Sequence, residues 1–148
     1  INSVIPDPDK AIIDFSKAIE LNPNNPEYYF RRALAYFSLE KYDESIKDNT
    51  KAIDLKPDFT DAYINRGLTG SKINLYDNAL SDYIAALKLI PDSELGYNNL
   101  LILLNDLLKL KEKETLKINL KLLEDIRKLN LSENKKADLI SLADQLKK

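Results

Sequence analysis

The sequence predicts an all-α fold, a solenoid of stacked antiparallel helix pairs that ends in capping helices. Segments with a leucine two residues before a proline, at 21–24, 55–58 and 89–92, recur at a step of 34 residues. Within each period, apolar side chains follow three-and-four spacing, which is typical of amphipathic helices. Repeats of this length are helix pairs that bury their apolar faces only by stacking on neighbours. With 148 residues, 44% of them apolar, the chain is predicted to form one domain.

The first unit, residues 8–25, is half a repeat. Pro8 to Leu21 matches the second helix of the later repeats, whereas residues 1–7 are too short to supply a first helix. We expect the natural protein to extend beyond Ile1 with further repeats or a leader, because Ala11 otherwise lacks its packing partner. The alternative is a homo-oligomer, in which a second copy of the chain covers this N-terminal half repeat.

Residues 26–59 are a complete repeat. Their apolar spacing predicts one helix over Glu27–Leu39 and a second over Tyr42–Leu55, with the turn at residues 40–41. Pro57 ends the second helix, because the residue before a proline is pushed out of the α region and the proline ring has no N–H to donate.

Residues 60–93 repeat this pattern, with small residues in the same columns. Two antiparallel helices approach closely only where their side chains are small. We therefore expect Ala33 to face Ser45 and Gly67 to face Ala79.

Two positions depart from the repeat. Gly70 stands where the preceding repeat has Tyr36, and Asn49 stands where the following repeat has an aromatic residue. One expectation is a local gap or a polar pocket at these positions. The alternative is that Lys72 or Ile73 packs over the vacant space.

The period fails towards the C-terminus, where residues 94–130 form a divergent repeat and residues 131–148 a capping helix. Three helices are predicted here, Leu95–Leu110, Glu114–Leu129 and Glu133–Lys147, the last capped by Ser132. Residues 1–106 contain 11 basic and 17 acidic side chains, whereas residues 107–148 contain 11 and 7. This basic, amphipathic tail is typical of the polar cap that solenoids need for solubility. A docking face for an acidic partner or for anionic lipid is the alternative.

The repeated columns resemble the tetratricopeptide repeat. That family has an aromatic residue four before Gly or Ala, a second aromatic three further on, small residues in the second helix and a terminal proline. The matching residues are Tyr29, Ala33, Tyr36, Ser45, Ala52 and Pro57 in one repeat, and Tyr63, Gly67, Ala79, Tyr83, Ala86 and Pro91 in the next. The resemblance covers residues 8–110 and implies a right-handed superhelix whose first helices line a concave groove.

In the family this groove holds a peptide or a partner helix, and the resemblance implies the same use here. Carried over position by position, it gives the candidate groove residues Phe30, Arg31, Leu34, Ile64, Asn65, Leu68, Lys72, Asn98, Asn99 and Ile102. Asn65 and Asn99 lie one repeat apart and are predicted to bond the backbone of an extended ligand. Arg31 is predicted to hold a carboxylate. The alternative is that these are ordinary solvated groups on a polar helix face.

Chaperone-binding members of the family clamp a C-terminal carboxylate with Lys, Asn and Arg side chains from three first helices. The corresponding positions here hold Phe30 and Leu34, then Asn65, then Leu95 and Asn99. With the repeats aligned in this way, the residues of the carboxylate clamp are absent. We do not expect a chaperone tail as the ligand, unless repeats further upstream supply the site.

The composition argues against an enzyme. The chain has no Cys, His, Met or Trp, which removes thiolate nucleophiles, imidazole bases and the commonest transition-metal ligands. Adjacent carboxylates such as Asp43 and Glu44 lie at helix starts, where both stay ionised and offset the helix dipole. The three glycines fall within helical patterns and form no phosphate-binding loop. We expect no catalytic residue, no metal and no cofactor.

Charge and hydropathy narrow the class of partner. The net charge of −2 argues against a nucleic-acid ligand, because such domains carry a strong basic excess. The longest apolar run, residues 100–104, is far too short to span a membrane. We expect no signal peptide among these residues, because no basic start precedes an apolar stretch. The predicted function is a module that binds a peptide or helix of an unidentified protein. A self-assembly scaffold and a helical-repeat RNA binder are the alternatives, and the sequence specifies no compartment.

Overall fold

The computed structural model describes residues 5–111 and 117–148, and within these ranges the chain consists of helices joined by short turns. The helices are α1 (Pro8–Leu21), α2 (Pro26–Ser38), α3 (Tyr42–Leu55), α4 (Thr60–Lys72), α5 (Tyr76–Leu89), α6 (Glu94–Lys111), α7 (Leu120–Ile126) and α8 (Glu133–Lys147). Each helix from α1 to α5 packs on the next, α6 also packs on α8, and α7 contacts both α5 and α8. The prediction of an all-α solenoid of helix pairs is confirmed.

The helix starts follow from local sequence. Pro8 and Pro26 open α1 and α2, where the missing N–H removes no helical hydrogen bond. The Asp7 carboxylate accepts a hydrogen bond from the amide of Lys10 at 3.0 Å, and the Asn25 side chain accepts one from Glu27 at 3.0 Å. The other starts among α1 to α6 carry an acidic residue in the first turn, which interacts favourably with the helix dipole.

Two equivalent turns close the α2–α3 and α4–α5 hairpins. Glu40 has φ of 57° and Asn74 has φ of 63°, which places both in the left-handed region. After α2, the amide of Lys41 donates to the carbonyl of Tyr36 at 2.9 Å, the long-range bond of a Schellman motif. Leu75 makes the same bond to Gly70 at 2.9 Å. Asn tolerates this conformation better than Glu does, so the second turn carries less strain.

Partly buried ion pairs tie consecutive helices together. Arg32 on α2 donates two hydrogen bonds to Asp48 on α3, at 2.6 and 2.8 Å, and a third to Ser16 on α1 at 2.9 Å. These bonds to Asp48 raise the pKa of the Arg32 guanidinium. One arginine thus fixes the relative positions of three helices.

One repeat later the same fork recurs. Arg66 on α4 donates to Asp82 on α5 at 2.9 and 2.7 Å, and to Thr50 on α3 at 3.0 Å. The next member of the column is Leu100, which is fully buried and apolar. We call these two three-helix forks the arginine ladder, and it ends where the interior becomes wholly hydrophobic.

The core has two parts of unequal size. We define the N-terminal core as the buried cluster Tyr29, Phe30, Leu34, Ala52, Ile53, Phe59 and Ala62. We define the C-terminal core as the larger buried cluster from Ile64 to Leu146, which includes Leu80, Tyr83, Leu87, Leu100, Leu104, Leu107, Leu123, Ile126 and Leu139. Tyr63 is partly buried and packs against both, so the two parts are continuous.

Three sequence-based details need correction: the nearest neighbour of Gly67, the start of the helix predicted at Glu114, and the cap at Ser132. The side chain nearest to Gly67 is the ring of Tyr83, whereas Ala79 lies beside Gly70. The helix predicted to begin at Glu114 starts only at Leu120; residues 117–119 are not helical, and residues 112–116 lie outside the described ranges.

The physical reason for the late start is visible at Asn119. Its side chain accepts a hydrogen bond from the amide of Lys121 at 3.1 Å, which caps α7, while its own amide donates to Asp77 at 2.9 Å.

Ser132 occupies the position before α8, but its side chain makes no capping bond. The last helix is instead held at its C-terminal end, where the Lys111 ammonium donates to the carbonyls of Gln145 and Leu146 at 2.9 Å.

Candidate functional site

A cleft of about 210 Å³ lies between α4 and α6, the first helices of successive repeats. Its apolar wall is formed by Leu68, Ile102 and Leu103, with the ring of Tyr83 beneath. Its polar lining residues are Ser71, Lys72, Asn99 and Asp106. We call this the α4–α6 cleft; an apolar surface with a few polar groups around it is typical of sites that bind another molecule.

Four of the ten predicted groove residues meet in this cleft, namely Leu68, Lys72, Asn99 and Ile102. Ile102 is 59% exposed and lines the cleft, so its apolar side chain is open to a ligand. The side-chain nitrogen of Asn99 donates to the carbonyl of Leu95 in its own helix at 2.8 Å, which leaves its oxygen and its second N–H for a ligand. Lys72 and Asp106 supply one charge of each sign.

Four other predicted groove residues are buried instead, which corrects the exposure expected for Phe30, Leu34, Ile64 and Asn65. Phe30 and Leu34 belong to the N-terminal core, where the ring of Phe30 lies 4.9 Å from that of Phe59. Ile64 belongs to the C-terminal core. Because these side chains complete the packing between helices, they are unavailable to a ligand in this conformation.

Asn65 is the most unusual of the four. Its relative exposure is 0%, and neither its side-chain oxygen nor its nitrogen has a hydrogen-bond partner among the described residues. Asn49, on α3, is equally buried, and its oxygen is also without a partner in the described part of the chain. The predicted hydrogen bond from Asn65 to an extended ligand is therefore not possible without a rearrangement of α4.

The remaining two predicted residues lie on the surface, apart from the cleft. Arg31 is 51% exposed, and the Nε–H of its guanidinium donates to Glu27 one turn earlier at 2.6 Å. Asn98 is exposed on α6 and does not line the cleft. A role in binding for either residue stays a prediction.

Sequence reasoning missed Tyr83, Ser71 and Leu103 as lining residues. Tyr83 fills the interior, with only 1% of its surface exposed. Burial raises the pKa of the Tyr83 phenol to about 12. The signal that could have revealed its position is Gly67, since the absence of a side chain there admits the ring towards the concave face.

The gap expected at Gly70 is present. A second cleft, also of about 210 Å³, is lined by Gly70 and Arg66 on α4, by Ile46 on α3 and by Leu75 in the following turn. Leu75 lies nearest to Gly70, and neither Lys72 nor Ile73 lines this cleft. We call this the Gly70 cleft.

The described residues contain no group of three or more acidic, His or Cys side chains placed to hold a metal ion. Within residues 5–111 and 117–148, no helix has the length and apolar character needed to cross a bilayer.

The repeats of the chain match known families. Models described as "Tetratricopeptide repeat" match residues 26–59 and residues 60–93, and one described as "TPR repeat" matches residues 8–39. A solved structure titled as the first TPR of Spaghetti (RPAP3), bound to the HSP90 peptide SRMEEVD, is 31% identical with a TM-score of 0.66. It covers 68% of this chain, and this chain covers 79% of it. The chain belongs to the tetratricopeptide repeat family.

Two further solved structures are similar to this tetratricopeptide repeat chain. The second TPR domain of human RPAP3, in complex with the HSP70 peptide SGPTIEEVD, is 27% identical with a TM-score of 0.63, covering 65% of this chain and 80% of its own. The structure of MamA is 18% identical with a TM-score of 0.68, covering 97% and 70%, and shows similarity of fold alone. Among curated proteins, none matches the sequence significantly.

Proposed function

We propose that this tetratricopeptide repeat domain is a non-catalytic interaction module that binds an apolar segment of a partner protein in the α4–α6 cleft. The observation that carries the proposal is Ile102, which is 59% exposed beside the half-buried Leu68 in a concave site. Covering apolar side chains that are in contact with water at a cleft is favourable, so their burial contributes to the free energy of binding a partner. Lys72 and Asp106 would fix the register of the segment through their opposite charges.

The relatives support a protein segment as the class of ligand, since two of them are solved with chaperone peptides. The chaperone tail itself is a poor fit for this chain. Of the clamp positions, Phe30, Leu34 and Asn65 are buried, and Leu95 is an exposed leucine rather than a basic residue. We propose that the ligand is recognised by one apolar anchor with charged or polar neighbours, not by a terminal carboxylate.

The experiment is selection of peptides from a random library on the whole chain, followed by affinity measurements on variants. Ile102→Glu places a charge at the centre of the cleft and should weaken the selected peptides at least tenfold. Ile90→Glu is the matched control, because Ile90 is also exposed but lies after α5 and does not line the cleft. If the selected peptides bind the Ile102→Glu variant as tightly as the original chain, they bind outside the α4–α6 cleft and the proposal is wrong.

Self-assembly is a second candidate, favoured by the uncovered face of α1. Ile13 is 68% exposed and Leu21 81% exposed, the two largest exposures among the large apolar side chains in the described ranges. Ala11 and Ala18 are only half-buried, whereas the alanines and serine in the same columns of α3 and α5 are fully buried. A homo-oligomer would cover this face with a second copy.

Light scattering across a wide concentration range tests this second candidate. The Ile13→Glu variant should remain monomeric at concentrations where the original chain associates, while Ile90→Glu should associate normally. A monomer at all concentrations would exclude self-assembly and leave the peptide-binding proposal unaffected.

A further inference from the structure

We propose that the Gly70 cleft is a second binding site, one that takes a single aromatic side chain of a partner against the guanidinium of Arg66. The cleft has a volume of about 210 Å³ and shares no lining residue with the α4–α6 cleft. Its walls come from α3, α4, α5 and the turn at Leu75. The proposal therefore stands independently of the function proposed above.

The first argument is a comparison between the two steps of the arginine ladder. In the first step, Arg32 lies 5.9 Å from the ring centre of Tyr29 and 5.8 Å from that of Tyr36. These distances are typical of cation–π interactions. In the second step Arg66 keeps one ring, that of Tyr63 at 5.7 Å, whereas the position of the other ring is Gly70.

The second argument is that the fold does not require a glycine at residue 70. Gly70 lies within α4 and has no positive φ, so any residue can adopt its backbone conformation. A Cβ atom there would approach the Leu75 carbonyl oxygen at 3.5 Å and the Leu75 Cβ at 3.7 Å, which are ordinary contacts. A helical glycine is about 1 kcal/mol less favourable than alanine. The empty space thus has no packing reason, which favours a binding role.

The third argument is size and chemistry. An apolar cavity of about 150 Å³ is enough to hold benzene, so the Gly70 cleft has room for a phenyl or phenol ring. Ile46 and Leu75 supply apolar contacts, and Arg66 supplies the positive charge that attracts a ring face. Bonds to Asp82 and Thr50 already hold the Arg66 guanidinium in place, so binding requires little further ordering of that side chain.

The test is an NMR titration of the whole chain with p-cresol, the side-chain analogue of tyrosine. We expect shifts at the Arg66 Nε–H and the Gly70 amide, with a dissociation constant of about 1–10 mM. Cyclohexanol, which is similar in size but has no π system, should bind at least fivefold more weakly. Equal binding of the two compounds would overturn the role of Arg66.

Variants that fill the cleft provide the decisive control. Gly70→Tyr restores the side chain of the preceding repeat and should reduce the p-cresol shifts at Arg66 at least tenfold. Gly70→Leu fills the same space with less bulk and serves if the tyrosine variant does not fold. In the Gly70→Ala control most of the space remains, and binding should persist. Shifts confined to the α4–α6 cleft, or unchanged in a folded filled variant, would overturn the proposal.

Discussion

A methyl group on Gly67 would lie 2.8 Å from the ring of Tyr83, because the glycine and the ring are packed against each other across the α4–α5 hairpin. Such a distance forces one helix or the ring to move. We predict that Gly67→Ala destabilises the chain by about 1–3 kcal/mol, although alanine is the better helix former by about 1 kcal/mol. Urea unfolding followed by circular dichroism measures the difference.

Gly70→Ala is the matched comparison, since both glycines lie in the interior of α4. Its added methyl group meets only ordinary contacts, so the gain in helix propensity should dominate. We predict an increase in the free energy of unfolding of about 0.5–1 kcal/mol. If the two variants shift the urea midpoint by the same amount, the close contact between Gly67 and Tyr83 does not govern the packing of this hairpin.

The arginine ladder predicts a contrast among three aspartates in the same column. Asp48→Asn and Asp82→Asn each leave a partly buried guanidinium without its carboxylate, and should lower stability by about 3 kcal/mol. Asp14 is exposed on α1, and no basic side chain of the described residues forms an ion pair with it. Asp14→Asn should therefore change stability by less than about 0.5 kcal/mol. Thermal unfolding of the three variants in parallel measures this contrast, and equal losses would contradict it.

The buried phenol of Tyr83 predicts a dependence of stability on alkaline pH. Its pKa in the folded chain is about 12, above the ordinary value of 10.0. Because the pKa is raised in the folded chain, the stability that comes from burying the neutral Tyr83 phenol is complete below pH 10 and is lost as the pH rises through 12. A difference of two units corresponds to about 2.7 kcal/mol. Urea unfolding between pH 9 and pH 12 should show a steeper loss for the original chain than for Tyr83→Phe, and parallel slopes would count against this assignment.

Asn65 predicts a stabilising substitution. Its buried amide lacks partners among the described residues, and such groups reduce stability by about 1–3 kcal/mol each. Asn65→Leu keeps the branching and approximate size of the side chain and removes the unsatisfied atoms. We expect the free energy of unfolding to rise by about 1–2 kcal/mol. A loss of stability would instead indicate that ordered water satisfies the amide.

The repeat could be predicted from the sequence because its signals are local. Pro57 marks a helix end through its own ring, and the bounds of α3 and α8 agree with the predicted helices at both ends. The α7 start could not be predicted, because it depends on the bond from Asn119 to Asp77, which is distant along the chain. Local spacing carries no information about such a contact.

The candidate site could be predicted only in part. Helical periodicity places Phe30 and Ile102 on the inner faces of their helices, but it does not say how far each face is covered. Phe30 is covered by the nearby Phe59 ring, whereas Ile102 has no such cover among the described residues. Burial depends on the distance between neighbouring hairpins, which follows from side-chain volumes on both, such as the missing side chain at Gly67.

The unequal sizes of the two cores determine the order in which parts of the chain unfold. The N-terminal core joins few residues, and α1 contributes no fully buried side chain. In a linear array each hairpin is stabilised mainly by its neighbours, so opening should begin at the weaker end. Amide hydrogens of α1 should exchange with solvent first, followed by those of α2 and α3. Those of α5 and α6, around Leu87 and Leu104, should exchange last, because unfolding begins at α1 and proceeds towards the C-terminal core.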